Sequence, residues 1–305
     1  MKVAKDVLEL IGQTPVVKLN IVVSASSADV FVKLENYNPA GSVKDRAGLY
    51  MIEKAEQEGK LNQDSIILEA TSGNTGIGLA MAACIKKYPI EIVMPENMSE
   101  ERKRILSAYG AKLVMTSAAK GMRGAVEEAE RMAAKDPKYF LIKQFENTDN
   151  PESHEMTTGP EILEQMNNKL DVFVSGVGSG GTITGVAKVL KAALPEIMIV
   201  GVEPANSAVL SGNSTGFHSI QGIGAGFIPP VLNQDMIDKI MPVRDEDAMQ
   251  MCRDLANKEA LLLGISSGAA IHAAVILAEE LGPGKKVLVI APDGAEKYMS
   301  MDLFD

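Results

Sequence analysis

The run Asn38-Pro39-Ala40-Gly41-Ser42-Val43-Lys44-Asp45-Arg46 separates a strand-like segment, Val30-Phe31-Val32-Lys33-Leu34, from a helix-like one that begins near Arg46. Proline fixes its own φ and pushes the residue before it out of the helical region, so Asn38-Pro39 opens a turn. Gly41 and Ser42 then give a flexible, hydroxyl-bearing approach to a helix N-terminus, where serine is a favoured cap. Lys44 is thereby placed at the mouth of a helix. The positive end of the helix dipole disfavours an ammonium there, which helps keep the amine neutral and nucleophilic. A lysine so placed is a candidate for a Schiff base with a carbonyl compound. Alone it would read as one more surface charge; it has company further along.

Outward from that run the chain alternates. The pattern predicts helices over 46–59, 74–87, from Ser99 to a stop at Gly110, and over 124–134, with strands over 65–69, 90–94 and 112–115. A polar connection from Glu146 to Ser153 follows. Beyond it come a strand over 171–175, a helix over 182–193, a strand over 197–202 and an irregular Gly-rich stretch over 207–226. Helices over 245–257 and 269–281 and a last strand over 286–290 complete the chain. Strand and helix in alternation mark a parallel sheet covered on both faces. The expected fold class is α/β, as two α/β lobes with mostly parallel sheets and a cleft between them, divided near Phe145.

Composition narrows the function classes. A chain of 305 residues, 46% hydrophobic and 23% charged, is ordinary for a globular protein with one large core or two lobes. A formal charge of −10 argues against nucleic acid as a partner. The N-terminus lacks the apolar run of a signal peptide and no stretch is apolar enough to span a bilayer, so a cytoplasmic protein without membrane contact is expected. Cys84 and Cys252 are too few for a disulfide framework, and both read as inert core thiols. His154, His218 and His272 are scattered, so no metal site is expected. No G-x-S-x-G elbow accompanies them. The acidic pairs Glu127-Glu128 and Glu279-Glu280 read as solvated helix surface, and the 17 methionines as core filler.

Ligands of open parallel sheets bind at the carboxyl ends of strands. Thr71-Ser72-Gly73-Asn74-Thr75-Gly76 holds that position, with hydroxyls, an amide and helix-start N–H groups that suit a carboxylate. Gly178-Ser179-Gly180-Gly181-Thr182 holds it again, and its glycines let backbone approach a phosphate. Either loop alone needs no ligand. Gly176, Gly178 and Gly181 also match a dinucleotide fingerprint, and Glu203 ends the next strand where a ribose-binding acid would stand, so NAD stays open on this pattern. A third group, Gly264-Ile265-Ser266-Ser267-Gly268-Ala269-Ala270, puts serines at a loop-to-helix junction, as caps or as partners of a cofactor ring nitrogen.

In order along the chain, Gly12-Gln13-Thr14-Pro15, N-P-x-G-S-V-K-D-R, T-S-G-N-T-G, Gln144-Phe145, G-x-G-G-T, G-I-G-A-G-F-I-P and S-S-G-A-A resemble the cysteine synthase (O-acetylserine sulfhydrylase) family of pyridoxal-phosphate enzymes, almost from end to end. The resemblance implies the fold of tryptophan synthase β-chains (PLP fold type II). A smaller mobile lobe would span 1–12 and 35–145, and a larger lobe 13–34 and 146–305. It implies that Lys44 carries pyridoxal 5'-phosphate as an internal aldimine, that Asn74 bonds the cofactor's 3′-oxygen, that Gly178, Ser179, Gly180, Gly181 and Thr182 hold its phosphate, and that Ser266 meets its pyridine nitrogen. Thr71, Ser72, Asn74, Thr75 and Gln144 would grip the substrate carboxylate, with Gly222 to Phe227, including Gly224, at the mouth of the site. The implied reaction makes L-cysteine from O-acetyl-L-serine and sulfide by β-elimination and replacement, via an aminoacrylate. Ser179 stands where the family often has threonine. A homodimer and docking of the serine acetyltransferase C-terminal tail are implied by resemblance alone. Cystathionine β-synthase chemistry and O-phosphoserine as donor remain neighbouring alternatives. Thr157-Thr158-Gly159-Pro160-Glu161, and a chain that ends soon after Tyr298, lean toward the sulfhydrylases. A nucleotide-dependent oxidoreductase or a non-catalytic binding protein would be a different class; the first leaves Lys44 and Ser266 without a task.

Overall fold

The computed structural model describes residues 3–299 together with Leu303 and Phe304. In chain order the strands are β1 (Val16–Lys18), β2 (Asp29–Leu34), β3 (Ile66–Ala70), β4 (Ile90–Pro95), β5 (Lys112–Thr116), β6 (Tyr139–Leu141), β7 (Val172–Gly176), β8 (Met198–Pro204), β9 (Lys239–Val243) and β10 (Lys286–Ala291). The helices are α1 (Lys44–Gln57), α2 (Asn74–Lys86), α3 (Glu100–Ala108), α4 (Gly121–Lys135), α5 (Asp149–Met156), α6 (Thr158–Gln165), α7 (Gly181–Ala193), α8 (Asp245–Glu259) and α9 (Ile265–Leu281). They fall into two compact units, the first formed by Met1–Ile11 with Asn38–Asn150, the second by Gly12–Tyr37 with Pro151–Asp305.

The first unit is built on a parallel sheet ordered β5-β4-β3-β6. Its central strands are apolar on both faces because both are covered, as parallel sheets require. Ile67, Ile92 and Met94 pack with α1 and α2, while Leu68, Ala70 and Val93 pack with Ala125 and Ala129 of α4. The second unit has a sheet ordered β1-β2-β10-β7-β8-β9, parallel except for β1 against β2. Residues of α8 and α9 cover one face with Val172, Val174, Val287 and Val289, and those of α6 and α7 cover the other with Phe173, Ile199 and Leu288.

Several elements depart from the expectation. The stretch read as a polar connection contains α5, which has no apolar stripe to announce it; Pro151 sits in its first turn, where a missing N–H costs nothing. Strands β1 and β6 are three residues each, and β9 is an edge strand with Pro242 in it, so none carries a readable alternation. Helix α9 starts at Ile265, which places Ser266 and Ser267 inside the first turn, with Gly264 as the cap. Cys84 is exposed, correcting its reading as a core thiol, whereas Cys252 is buried. Helix α2 is apolar nearly all round from Ile77 to Ala83, so its sequence does not show which side of its last turn meets water.

Two motifs quoted for the resemblance meet around a buried charge. The Nζ of Lys33 on β2 donates to the Thr14 carbonyl at 3.0 Å, Glu161 Oε2 at 2.9 Å and Gln165 Oε1 at 2.9 Å. The other Glu161 oxygen accepts from the Gln13 N–H at 3.0 Å. The Gln13-Thr14 turn and the Glu161 helix are thus locked to one ammonium that is fully shielded from water. Removing one partner of such a pair strands the other charge, so Lys33→Met is expected to destabilise the second unit by about 3–5 kcal/mol. Urea unfolding checks this; an unchanged midpoint would show that the ion pair contributes nothing net.

Candidate active site

In the first unit Lys44 is the first residue of α1, with its N–H donated to Ser42 Oγ at 3.2 Å. Asp45 fastens the approach, accepting from the Ala40 N–H at 2.6 Å and from Ser42 Oγ at 3.3 Å. Ser42 therefore works from one position further out than an ordinary cap. What holds this corner is a contact that the sequence reading missed. A β-carbon on Gly78 would lie 2.8 Å from the Lys44 carbonyl oxygen, and one on Gly48 would lie 2.9 Å from the Gly78 carbonyl carbon. Helices α1 and α2 touch backbone to backbone, one turn after Asn74 opens α2. Glycines inside a helical pattern were the available signal.

The carboxylate-loop candidates gather in the same unit. Thr71 Oγ1 accepts from the Gly73 N–H at 3.1 Å, and the Thr75 hydroxyl donates to Gln144 Oε1 at 2.6 Å. Ser72 and Asn74 are half-buried, and Asn74 provides the first N–H of α2 beside them. Gln144 is held in turn by Asn150, whose Nδ2 donates to its carbonyl at 2.8 Å. Behind the loop sits Glu69, 3% exposed at the end of β3. Its oxygens accept from the Lys143 N–H at 2.9 Å and the Gln144 N–H at 3.4 Å. Burial outweighs these bonds and pushes its pKa up to about 7. A carboxylate within an otherwise apolar strand was the signal for it.

In the second unit the loop from Gly178 to Gly180 leads off β7 into α7, which begins at Gly181. A β-carbon on Gly178 would fall on the Gly222 carbonyl oxygen, and Gly180 has φ +86, so the cradle is bare backbone by necessity. Ser179 and Thr182 are buried hydroxyls beside it. His154, on α5, is fully buried, with Nδ1 2.8 Å from Thr158 Oγ1 and Nε2 3.3 Å from Thr182 Oγ1. It was read as one of three scattered histidines; the i, i+4 spacing to Thr158 was its only trace. Gly222 and Ser266 are brought together, a β-carbon on Gly222 lying 3.5 Å from Ser266 Oγ. Gly224 is tied by its N–H to the Val177 carbonyl at 3.0 Å. Glu203 is occupied, accepting from the N–H groups of Leu210 at 2.8 Å and Ser211 at 2.9 Å and from the Ser211 hydroxyl at 2.6 Å. Buried at 1% exposure and already holding three donors of the 210–211 turn, this carboxylate is not presented to a ribose, which argues against the dinucleotide reading. Among the described residues no cluster of His, Cys, Asp and Glu is gathered to hold a metal, and no helix is long and apolar enough to cross a membrane.

A family model described as pyridoxal-phosphate dependent enzyme matches residues 7–293. The chain belongs to that family, and pyridoxal phosphate is its cofactor. Within the family it is 52% identical over 304 residues to a cysteine synthase of Staphylococcus aureus, across 99% of this chain and 98% of the relative. The crystal structure of the cysteine synthase (OASS) of Entamoeba histolytica superposes with a TM-score of 0.96 at 42% identity, over 99% of this chain and 91% of the other. An O-acetylserine dependent cystathionine β-synthase of Helicobacter pylori does so at 0.95 and 40%, over 100% of both. The residues present fit such a cofactor: a helix start has N–H groups without intrahelical partners, and at α7 they face a loop whose glycines leave no side chain in the way.

Glu69 makes stability depend on pH. Unfolded, it ionises near 4.5 like an ordinary glutamate, while the folded chain keeps its proton up to about 7. The folded state therefore binds more protons in that window, and stability is lost as pH rises through it, by about 3 kcal/mol in all. Glu69→Gln carries no such proton. Urea titrations at pH 5 and pH 7 should show the variant gaining on the wild type as pH rises, and a constant difference would contradict the assignment.

Proposed function

We propose that this enzyme makes L-cysteine from O-acetyl-L-serine and sulfide by β-replacement. The observation that carries the reading is the 52% identity to a cysteine synthase over 99% of this chain and 98% of the relative. Lys44 would hold the cofactor, and its amine would take the Cα proton of the substrate as general base and later return it as general acid. The bound cofactor supplies the electron sink that makes that proton acidic. Thr71, Ser72, Asn74, Thr75 and Gln144 would bind the substrate carboxylate, which fixes the Cα–H bond relative to the lysine. Asn74 would also bond the cofactor's 3′-oxygen. The N–H groups and hydroxyls of 178–182 would hold the phosphate, with His154 orienting the Thr182 hydroxyl. Ser266 would meet the pyridine nitrogen. A neutral hydroxyl there would not keep that nitrogen protonated as a carboxylate could, which would moderate the electron sink that the cofactor supplies. Gly222 and Gly224 would line the entrance for sulfide.

On the same reading the enzyme works in the cytoplasm as a homodimer and can receive the C-terminal tail of serine acetyltransferase. The Helicobacter pylori relative marks the nucleophile as the part of the reaction that must be separated by experiment.

The visible spectrum of the purified protein tests the whole proposal. A yellow band is expected to give way to a red-shifted one on adding O-acetylserine alone, and to return with sulfide. A return only with homocysteine would move the chain to cystathionine synthesis; indifference to O-acetylserine would overturn the donor. Lys44→Ala should lower turnover by at least 10²- to 10⁴-fold, the usual worth of a positioned acid-base group. Gly178→Ala should cost cofactor occupancy, measured by dialysis against graded pyridoxal phosphate, because the new methyl collides with the Gly222 carbonyl.

A further inference from the structure

We infer that Asp293 is a positioning residue that sets, through the first turn of α9, where the Ser266 hydroxyl stands to meet the cofactor's ring nitrogen. The inference rests on the role given above to Ser266. That hydroxyl has no tether of its own. Ser266 is 3% exposed, yet among the described residues no group hydrogen-bonds its Oγ. Its neighbour differs: the fully buried Ser267 donates through Oγ to the Asp293 carbonyl at 3.2 Å. A side chain without a bond of its own goes where its backbone goes. The place of Ser266 is therefore set by whatever holds the turn from Gly264 to Ser267.

Asp293 grips that turn with both its main chain and its side chain. Its carbonyl also accepts the Gly264 N–H at 3.1 Å, which joins the cap of α9 to the chain leaving β10. Its buried carboxylate accepts the hydroxyl of the buried Tyr298 at 2.6 Å. The same carboxylate lies against the cap. A β-carbon on Gly264 would fall on Asp293 Oδ1 and lie 2.8 Å from Tyr298 Cε2. Gly264 has φ −70, which any residue adopts, so glycine stands there for room and not for backbone freedom. A carboxylate beside a helix start is also favoured by the N–H groups that lack intrahelical partners there. Further ties close the clasp: Leu263 bridges Gly294 antiparallel, and the Ala295 N–H donates to the Leu262 carbonyl at 3.2 Å. One turn on, the space of a β-carbon on Gly268 is taken by the Ala248 carbonyl and Cys252 Sγ of α8. Ser266 thus stands between two glycines, one pressed by Asp293 and the other by α8.

The test reads the holoenzyme in two ways: the visible absorption of the bound cofactor, and its dissociation constant from dialysis against graded pyridoxal phosphate. Tyr298→Phe removes a hydroxyl from the Asp293 carboxylate, and Ser267→Ala removes one from the Asp293 carbonyl. Each is made in the wild type and in Ser266→Ala. In the wild-type background each should shift the absorption band and weaken pyridoxal phosphate by roughly three- to tenfold, the net worth of one hydrogen bond. In Ser266→Ala neither should move either readout further, because the bond they misplace is already gone. Equal losses in both backgrounds would show a merely structural clasp and overturn the inference, as would no loss in either. The two possible failures are distinct. If Ser266→Ala absorbs and binds the cofactor as wild type does, the ring-nitrogen reading fails and the inference goes with it. If Ser266→Ala is altered while Tyr298→Phe and Ser267→Ala are not, only the role of Asp293 is lost. Should urea unfolding show that Tyr298→Phe folds poorly, Ser267→Ala, which leaves the carboxylate contact in place, decides by the same comparison.

Discussion

Two helices can bring their backbones into contact only where neither interposes a side chain, and Gly48 and Gly78 satisfy that condition in the first unit. Much follows from this one crossing. It fixes the start of α1, where Lys44 emerges, against the helix that Asn74 opens, so Lys44 and the loop from Thr71 to Thr75 share one corner. A larger residue at either point would have to part the helices and carry Lys44 with them. Glycine is costly inside a helix, by about 1 kcal/mol relative to alanine. Here the close approach of the two backbones requires it.

The second unit solves a different problem with the same means. An anion is best met by N–H groups that have no other partner, and the start of α7 offers them where β7 ends. Here the glycines remove bulk from a loop instead of from a helix crossing. Buried side chains then hold the cradle from behind: His154 touches Thr182, and the Gly222 carbonyl fills the space that a side chain on Gly178 would need. A polar group that cannot move is a better binding partner than one that must be ordered first.

The sequence was legible wherever local chemistry and tertiary use agreed. Alternating strands and helices were plain because both sheets are buried on two faces, and buried strands such as Ile90–Pro95 read as unbroken apolar runs. The glycine-rich loops stood out because both fall between a strand and a helix, while only their order along the chain with Lys44 and Ser266 pointed beyond a tight turn. What could not be read depends on contacts distant along the chain. Helix α5 has no stripe, since its key side chain is a histidine that packs against polar partners. Glu69 ends the strand read over 65–69 with nothing in the sequence to give it a partner, because the N–H groups that close over it belong to residues 143 and 144. Glu203 was ambiguous for the same reason: its role is set by Ser211, and no spacing rule links the two. The exposure of Cys84 turns on which side of α2 faces outward, which its almost wholly apolar sequence does not encode, whereas Cys252 lies on the buried stripe of α8 with Ala248, Met251 and Leu255.

The two cysteines acquire a meaning from that difference. Cys252 lies under the start of α9, with its Sγ 3.4 Å from the Gly264 carbonyl, and burial pushes its pKa up to about 12. Only a thiolate attacks disulfides or electrophiles, so this sulfur is chemically silent. An enzyme that releases a thiol also meets the disulfides which that thiol forms on oxidation, and a protein thiolate attacks such a disulfide with release of the other sulfur as a thiolate. Along this chain, mixed-disulfide formation of that kind is confined to Cys84, near the end of α2, and spares the helix that carries Ser266.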